Sequence, residues 1–419
     1  MTVRESPERL IDLVDHHSYA GGQPHEAFDW LRLNDPVHRH AEPDGGPGFW
    51  ALTRFEDVQR VGRDAETFSS SPTIIIRDPD DDRIDPDHLM MIMADPPVHT
   101  RMRRLISRQF TPRAAKELTR RVSELATTIV DDVIEQGSCD LVNDLAGAMP
   151  SYVIADILGI PLQDGRRLYH HTEMLHSSTE VVGIEAQRAA YGEMFAYSQD
   201  VFAAKRANPK DDLASLLASS ALAGEPGSDA RPVDEVDFFL WFLLLVDAGG
   251  DTTRNLVGGG FEALFRHPDQ LMALRADPVA RLGPAIEELL RWLSPVVYMR
   301  RTATRATRLG DRAIAEGDKV VMYYGAANRD PAVFDHPHQL DLTRSPNPHV
   351  AFGGGGPHFC LGAHVARLES HALMHELLTR LDDLTPTADA EWMVSNFIFG
   401  PTTLPVAFKP GHRQRAGAR

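Results

Sequence analysis

Apolar residues recur at three- and four-residue intervals through most of the middle of the chain. The clearest run predicts one long helix with an apolar stripe; its members are Leu118, Val122, Leu125, Ile129, Val133 and Ile134. Turns rich in glycine, proline and aspartate separate further helix-like segments. These segments are predicted at residues 145–160, 163–176, 185–206, 211–220, 233–266, 268–275 and 278–293. The chain is therefore expected to be mainly α.

Short strand-like pieces lie on either side of this helical region. Residues 48–53 have a composition typical of a strand and precede a helical stretch at 57–63. Strand-like pieces return between residues 297 and 322 and again at 404–408. We expect residues 1–70 and 297–322 to contribute small mixed β subregions.

The sequence contains no internal repeat and no interior linker. We therefore expect one large domain over residues 1–410, rich in helix with small β-sheets, followed by a disordered tail at 411–419. Residues 69–95 combine prolines and aspartates with a short apolar stretch, which predicts a long loop. A loop of this length is usually functional or mobile.

Charge and cysteine content narrow the classes of function. The chain carries 43 Lys and Arg against 60 Asp and Glu, a net charge of −17 that repels phosphate backbones and anionic lipids. Nucleic acid and membrane partners are therefore not expected. Cys139 and Cys360 are too few for a disulfide framework, and the longest apolar run, 238–246, is far shorter than the roughly 20 residues of a membrane span. These features predict a cytoplasmic protein.

Four consecutive glycines, 353–356, precede Cys360 in the most informative stretch of the sequence. Glycine permits backbone conformations and close approaches that other residues cannot make. Apolar residues at helical spacing follow the cysteine, so Cys360 is predicted to lie at a helix N-terminus, where free amide groups lower the pKa of a thiol. The stretch thus predicts an anionic sulfur in a loop against which something flat or bulky could press.

Four interpretations of this loop stay open from the residues alone. One is a glycine turn with a buried structural thiol, and another is a cysteine nucleophile with a nearby base. A third is a zinc site, which would use His349, His358, Cys360 and His364 but lacks the paired spacing of known zinc motifs. The fourth, a thiolate ligand to haem iron, accounts for the glycines, the single sulfur and the following helix together.

A second informative cluster, residues 248–253, follows the most apolar helical run. Its glycines and threonines weaken a helix, and the Thr252 hydroxyl is expected to bond to the carbonyl of Ala248 four residues earlier. A simple helix C-cap would explain Gly249 and its neighbouring glycine. The adjacent acid and alcohol, Asp251 and Thr252, would also suit the delivery of protons to a reaction centre.

Residues 352–367 resemble the haem-binding signature of the cytochromes P-450. Cys360 matches the thiolate ligand of that family, and His358 lies two positions before it. The phenylalanine that usually stands seven positions before the cysteine is replaced by Gly353, with Phe352 one place further back. The resemblance extends from about residue 20 to 408 and implies a cytochrome P-450 fold that encloses haem b.

The same resemblance assigns roles to other motifs. Glu288 and Arg291 lie three residues apart on one predicted helix face, and with Arg344 they would form a structural lock under the haem. Thr252 would stabilise the oxygen species and Asp251 would relay protons. The residues implied to bind the haem propionates are His99, Arg103, Arg301 and His358, since a guanidinium matches a carboxylate. Further contacts to the cofactor are implied at Gly249 and Phe352.

The activity that the resemblance implies is that of a haem-thiolate monooxygenase. One oxygen atom of O2 enters a C–H bond, and the other leaves as water. Because no flavin or nicotinamide domain follows residue 419, electrons are expected from an external, acidic ferredoxin. Its expected docking surface is a basic patch of Arg101, Arg104, Arg108, Arg113, Lys116 and Arg367.

The substrate is expected to be a hydrophobic small molecule, with a steroid, a terpenoid or an alkyl chain favoured. The resemblance places the pocket at Ile74, Ile75, Met91, Ile92, Leu244, Ala248, Val296, Val297, Phe397, Ile398 and Phe399, which are all apolar. Two alternatives share the haem: a peroxygenase that uses hydrogen peroxide, which the Asp251-Thr252 pair argues against, and a non-catalytic haem sensor, which would not need that pair.

Overall fold

The computed structural model describes residues 11–79, 88–176, 182–222 and 230–414. Its α-helices are α1 His25–Asn34, α2 Phe55–Arg63, α3 Val98–Ile106, α4 Pro112–Val133, α5 Ala148–Leu158, α6 Leu162–His176, α7 Ile184–Ala207, α8 Leu213–Ala218, α9 Glu235–Arg266, α10 Pro268–Ala276, α11 Pro278–Leu293, α12 Tyr324–Ala327 and α13 Ala363–Arg380. Short 3₁₀ turns lie at His16–Tyr19, Pro43–Gly45, Met91–Met93 and Ser107–Phe110, and a π-helical turn at Leu141–Ala146.

The strands are short. They are β1 Val37–His40, β2 Phe49–Leu52, β3 Phe68–Ser69, β4 Ser138–Asp140, β5 Ala221–Leu222, β6 Arg231–Pro232, β7 Tyr298–Ala303, β8 Thr307–Leu309, β9 Arg312–Ile314, β10 Lys319–Tyr323, β11 Thr385–Pro386, β12 Glu391–Trp392, β13 Pro401–Thr403 and β14 Pro405–Ala407. Each helical segment predicted between residues 145 and 293 overlaps one of the helices, which confirms the mainly α fold class with small sheets.

Local sequence signals explain where several helices begin. Thr111 accepts a hydrogen bond from the Ala114 amide at the start of α4, and Asp277 caps α11 in the same way through Ala280. A proline follows each of these caps, at the position where the missing N–H costs nothing. The helix starts are thus fixed by residues that can be read from the chain.

The long helix α9 runs through the centre of the molecule, and its side chains are largely buried. It continues unbroken past Gly249 and Gly250, so the interpretation of these glycines as a helix C-cap is wrong. A Cβ at Gly250 would lie 2.9 Å from the ring of Tyr169, so glycine is required here because α6 packs closely against α9.

The two predicted β subregions form one sheet. Its strand order is β1-β2-β10-β7-β3, so strands from the first 70 residues pair with strands from 298–323. Strand β10 is parallel to β2 and antiparallel to β7. This pairing fixes β7, which carries Arg301, beside the helical body.

Parts of two predictions fall outside the described residues, namely residues 80–87 of the predicted loop and 415–419 of the predicted tail. In the described part of the tail, the amide of Gly411 donates to the Ile134 carbonyl at 2.9 Å.

The helices were also compared with the dimensions of a lipid bilayer. In the described ranges no single helix is long and apolar enough to span one; a pair bent by 119°, Leu141–Leu158 with Leu162–Leu175, meets the criterion by length and composition.

Candidate functional site

The glycine-rich loop before Cys360 packs directly on helix α2. A Cβ at Gly356 would lie 2.3 Å from the Gly62 carbonyl oxygen, and one at Gly354 would lie 2.6 Å from that of Val58. Gly356 also has a φ of +78°, which disfavours other residues. The expectation that a flat or bulky group explains the glycines is therefore incomplete, because two of them are required by contact with α2.

Cys360 leaves this loop just before helix α13 begins. Its amide donates to the Phe352 carbonyl at 2.9 Å, which closes the loop around the sulfur. Burial raises the pKa of the Cys360 thiol, while the amides of Gly362 and Ala363 act in the opposite direction. The expected net lowering of this pKa is thus wrong for the polypeptide alone, because desolvation of the thiolate outweighs the helix amides. A bound cation would reverse that balance.

A cavity with a volume of about 250 Å³ lies beside Cys360. Most of the predicted site residues line it. They are Met91, Ile92, His99, Arg103, Leu244, Ala248, Gly249, Thr252, Val296, Arg301, Phe352, His358 and Cys360. Segments distant in the sequence therefore meet around one space.

Six of the predicted pocket residues do not line this cavity: Ile74, Ile75, Val297, Phe397, Ile398 and Phe399. Val296 and Val297 are consecutive in extended backbone, so their side chains point to opposite sides and only Val296 reaches the cavity. The Phe397 ring packs instead on Tyr298, at 5.3 Å between centroids. The side chain of Ile75 is exposed.

Other lining residues were not predicted. They are Phe110, Pro150, Ile154, Ile157, Leu245, Thr253, Leu256, Leu290, Pro295, Met299, Tyr324, Gly353, Phe359, Leu361, Gly362, Val365, Ala366, Ala351 and Glu369. Pro150, Ile154 and Ile157 follow helical spacing on α5, but this signal is the same as that of an ordinary core face. Only the packing of α5 against α9 makes this face part of the cavity wall.

One rim of the cavity is rich in nitrogen donors. The rings of His99 and His358 lie 4.1 Å apart between centroids, and Ser70 Oγ is 3.0 Å from His358 Nε2. Burial lowers the pKa of His358 to about 2 and that of His99 to about 4, so both rings are neutral at pH 7. Because the two imidazole rings are neutral, Arg103 and Arg301 carry the positive charge of this rim.

Arg103 and Arg301 direct few of their donors to the protein. Arg103 Nη2 donates to the Phe359 carbonyl at 2.7 Å, and Arg301 Nη1 donates to the Arg300 carbonyl at 2.8 Å. Among the described residues, neither guanidinium forms an ion pair with a carboxylate. A buried, unpaired charge is costly, and burial indeed lowers the pKa of Arg301. The rim therefore suits a ligand that carries carboxylates.

The acid and alcohol of α9 face different surroundings. Thr252 Oγ1 donates to the Ala248 carbonyl at 3.1 Å, which confirms the predicted bond, and Thr252 lines the cavity. Asp251 is fully buried but does not line the cavity. Arg254 Nη1 lies 3.6 Å from its carboxylate, and Arg254 Nη2 lies 2.9 Å from Glu173 on α6. Asp251 is thus held on the α6 side of the helix.

Glu288 on α11 is the centre of a buried polar network. It accepts two hydrogen bonds from Arg291, at 2.7 and 2.8 Å, and one from Arg344 at 3.0 Å. Asn347, which the sequence analysis missed, donates to the same carboxylate at 3.0 Å. Arg291 also donates to the carbonyl of Asn328, so the network ties α11 to the segments that precede the cysteine.

The chain was then compared with known proteins. The family model for cytochrome P450 matches residues 282–407. A methyl-branched lipid omega-hydroxylase of Mycobacterium tuberculosis is 38% identical over 87% of this chain and 85% of that protein. A steroid C26-monooxygenase of Mycolicibacterium smegmatis is 37% identical over 96% of both chains. The solved structure of Mycobacterium marinum cytochrome P450 CYP268A2 in complex with pseudoionone has a TM-score of 0.88 and 34% identity, covering 97% of this chain and 100% of that one.

The chain belongs to the cytochrome P450 family. It is accordingly a haem-thiolate monooxygenase whose cofactor is haem b and whose co-substrate is O2.

The residues around the cavity fit this cofactor. A haem carries two propionate carboxylates, and the rim offers two guanidiniums, Arg103 and Arg301, that no carboxylate of the described chain neutralises. The Cys360 thiol lines the same cavity, and because burial raises its pKa, a bound cation would favour the thiolate. This cytochrome P450 therefore has a thiol that suits the iron of haem b and a cationic rim that suits its propionates.

The zinc alternative does not fit the geometry. His349 bonds to Glu287 at 3.0 Å and His364 is exposed, so neither joins Cys360. Within the described ranges, the group of side chains close enough to share a metal ion is His88, Asp234 and Asp237, far from the cysteine in sequence. The loop of this cytochrome P450 is therefore not arranged for zinc.

Proposed function

We propose that this cytochrome P450 hydroxylates an apolar, methyl-branched or steroid-like small molecule at an aliphatic carbon, with electrons from an external ferredoxin. The observation that carries the substrate class is the apolar part of the cavity wall. Its side chains are aliphatic or thioether groups with no charge, namely Met91, Ile92, Ile154, Ile157, Leu244, Leu245 and Val296. Such a wall binds through apolar burial and offers no charged anchor.

The relatives support the same class. The related proteins are named for a methyl-branched lipid and for a steroid, and the similar solved structure contains pseudoionone, a branched terpenoid ketone. All three are hydrophobic molecules with branched carbon skeletons. The apolar side chains that line the cavity suit a molecule of this kind.

We assign roles to the residues as follows. Cys360 would hold the iron, and Arg103 and Arg301 would bind the propionates, with the neutral rings of His99 and His358 beside them. Glu288, Arg291 and Arg344 would hold the segments before the cysteine, and Gly249 and Phe352 would contact the cofactor. When bound, the haem supplies the activation of O2 and the transfer of one oxygen atom.

Thr252 places a hydroxyl at the cavity wall. Because its proton is donated to the Ala248 carbonyl, its oxygen is fixed there and can accept a hydrogen bond from a group in the cavity in a defined direction. We assign Asp251 as an acid that supplies protons when it leaves Arg254. The aliphatic wall excludes bulk water, which limits unproductive protonation.

Spectral titration and turnover test the substrate class. Phytanic acid and cholestenone are titrated against the ferric protein, where displacement of the water ligand is expected, and then incubated with ferredoxin, ferredoxin reductase and NAD(P)H. Ala248→Leu narrows the cavity and should weaken binding of both, whereas Phe397→Leu is the matched control because Phe397 does not line it. Hydroxylation supported by hydrogen peroxide but not by ferredoxin would instead indicate a peroxygenase.

The proposed redox partner is an acidic ferredoxin that docks near Cys360. Phe359, immediately before the cysteine, is 39% exposed, and its carbonyl contacts Arg103. Three basic residues that follow Arg103 in the sequence are exposed: Arg104, Arg108 and Lys116. Of the other expected members of the basic patch, Arg113 pairs with Glu117 and Arg367 with Glu287.

Salt dependence tests this docking. The rate of reduction by ferredoxin should fall with ionic strength, because exposed charges are screened within roughly 10 Å at 0.1 M salt. Lys116→Glu should slow reduction, whereas Arg188→Glu on α7, also an exposed cation, should not. A rate independent of salt would refute the electrostatic contribution.

A further inference from the structure

Two thioether sulfurs lie in the wall of the cavity that contains Cys360. Among the methionines of the described residues, those that line this cavity are Met91 and Met299. Met91 is 7% exposed, and it begins a 3₁₀ turn that contacts both α3 and α9. Met299 lies on strand β7 and is partly buried. The roles assigned above use the apolar surface of this wall but neither of its sulfur atoms.

The geometry of β7 places Met299 beside Arg301. Side chains alternate along a strand, so these two residues share one face, and both line the cavity. Tyr298 and Arg300 face the other way: the Ile76 amide donates to the Tyr298 hydroxyl at 3.3 Å, and Arg300 Nη1 donates to the Ile76 carbonyl at 3.0 Å. Because Arg301 is assigned to a propionate, Met299 is placed next to the cofactor.

We propose that this cytochrome P450 oxidises its own Met91 and Met299 to methionine sulfoxide when no substrate fills the cavity. The inference goes beyond the proposed function, since it needs the activation of O2 but no particular substrate. A thioether sulfur has a lone pair that accepts an oxygen atom without the breaking of a C–H bond. A bound substrate covers the sulfurs and takes the oxygen atom itself, so self-oxidation belongs to the enzyme without substrate.

The oxidation uses the same reagents as hydroxylation. One thioether, O2, two electrons and two protons give one sulfoxide and one water. A sulfur–oxygen bond forms and the O–O bond of O2 breaks. The sulfur gives up two electrons, and the external reductant supplies the other two. The second oxygen atom leaves as water with the two protons.

Sulfoxides in this wall change what the cavity binds. Oxidation converts a flexible apolar side chain into a polar one. Ile92, Leu244 and Val296 line the same cavity with aliphatic side chains, which donate no hydrogen bond to a sulfoxide oxygen. An apolar ligand would bury that oxygen without a partner, so its affinity should fall about tenfold or more. The enzyme that turns over without substrate thus loses affinity for apolar molecules.

Two other methionines separate this reaction from oxidation by peroxide in solution. Met272 on α10 is 62% exposed and does not line the cavity, so dissolved peroxide reaches it readily. Met322 lies directly opposite Met299 in the pairing of β10 with β7, but it is fully buried and does not line the cavity either. Oxidation inside the cavity should therefore modify Met91 and Met299 and spare both of these residues.

Peptide mass spectrometry tests the proposal on the haem-loaded wild type. The protein is incubated in air with ferredoxin, ferredoxin reductase and NADPH, without substrate and with catalase to remove released peroxide. The peptides that contain Met91 and Met299 should gain about 16 Da, to an extent at least about tenfold greater than those of Met272 and Met322. Carbon monoxide, which competes with O2 for the ferrous iron, should suppress the gain at both cavity residues.

Ligand binding tests the consequence. Cholestenone is titrated against the ferric protein before and after the incubation, and its affinity for the wild type should fall about tenfold or more. The matched control is the double variant Met91→Leu with Met299→Leu, because leucine keeps the apolar character and approximate volume of methionine but has no sulfur. Each protein is compared with its own state before incubation, and the double variant should keep its starting affinity.

Several results would overturn the proposal: unmodified Met91 and Met299, equal oxidation of Met272 in the presence of catalase, or a mass gain that carbon monoxide does not suppress. An unchanged affinity of the oxidised wild type would overturn the consequence for binding. The wild-type peptide masses decide the main question even if the double variant binds no haem.

Failure of the proposed function would be seen separately. If ferredoxin delivers no electrons, the proposed partner fails, and hydrogen peroxide given to the haem-loaded protein replaces O2 and the reductant. Imidazole bound to the iron should then protect Met91 and Met299 but not Met272. If cholestenone does not bind the wild type, the proposed substrate class fails, while the peptide masses still test the oxidation of the two sulfurs.

Discussion

Replacing Glu288 by Gln removes the charge at the centre of its buried polar network. Glu288 and Arg291 are both fully buried, and Arg344 is nearly so. The carboxylate also accepts hydrogen bonds from Asn347 and from the Asp341 amide, each at 3.0 Å. Glutamine keeps the shape of the side chain but leaves two guanidiniums without their counter-ion.

Breaking a buried ion pair by changing one partner costs about 3–5 kcal/mol, because the remaining charge stays buried without compensation. Since total stabilities are about 5–15 kcal/mol, Glu288→Gln should lose a large part of the free energy of unfolding. The segments that lead to the Cys360 loop should also be held less firmly, because Arg291 donates hydrogen bonds to the carbonyls of Asn328 and Pro337. Retention of haem should therefore decline together with stability.

Urea unfolding of the haem-loaded protein measures this effect. The matched control is Glu117→Gln, which breaks an exposed pair with Arg113 and should cost at most about 1 kcal/mol. Asn347→Ala removes one donor to Glu288 and leaves the ion pair in place, so an intermediate loss of about 1.5–3 kcal/mol is expected. A loss in Glu288→Gln no larger than that in Glu117→Gln would refute the reasoning.

Three further predictions follow from the cavity. Thr252→Ala should release more hydrogen peroxide per O2 consumed with an unchanged carbon monoxide spectrum; unchanged coupling would contradict the role of the hydroxyl. Arg301→Gln should speed haem transfer to apomyoglobin about tenfold or more through loss of a charge-assisted bond, whereas Arg312→Gln, at an exposed pair, should not. Because burial lowers the pKa of His358 to about 2 and of His99 to about 4, the unfolded chain takes up protons near pH 6.5 that the folded protein excludes. The free energy of unfolding should thus fall from about pH 7 to 4, and less steeply in His358→Gln; an equal slope would count against this assignment.

Much of the fold could be predicted because its signals are local. Periodic apolar residues marked α4 and α9, and caps such as Asp277 with its following proline set where α11 begins. The joining of residues 1–70 to 297–322 in one sheet could not be predicted, since pairing between β2 and β10 depends on contacts across about 270 residues.

The candidate site likewise has residues that could be predicted from the sequence and arrangements that could not. The motifs identified Cys360, Thr252 and Glu288, because the spacing of residues within a helix or loop decides which side chains meet. The orientation of Asp251 towards Arg254 and the approach of Glu369 to Thr253 arise from the packing of α6 and α13 on α9, which no local pattern encodes.

By itself the sequence determined the family, the helices and the chemistry of the groups at the cavity, because these depend on residue type and short-range spacing. Only the tertiary structure decided which side chains line the cavity. Val296 lines it but the neighbouring Val297 does not, and Glu369 lines it but Asp251 does not. The physical reason is that burial and long-range packing set both the direction of a side chain and the protonation state of an acid.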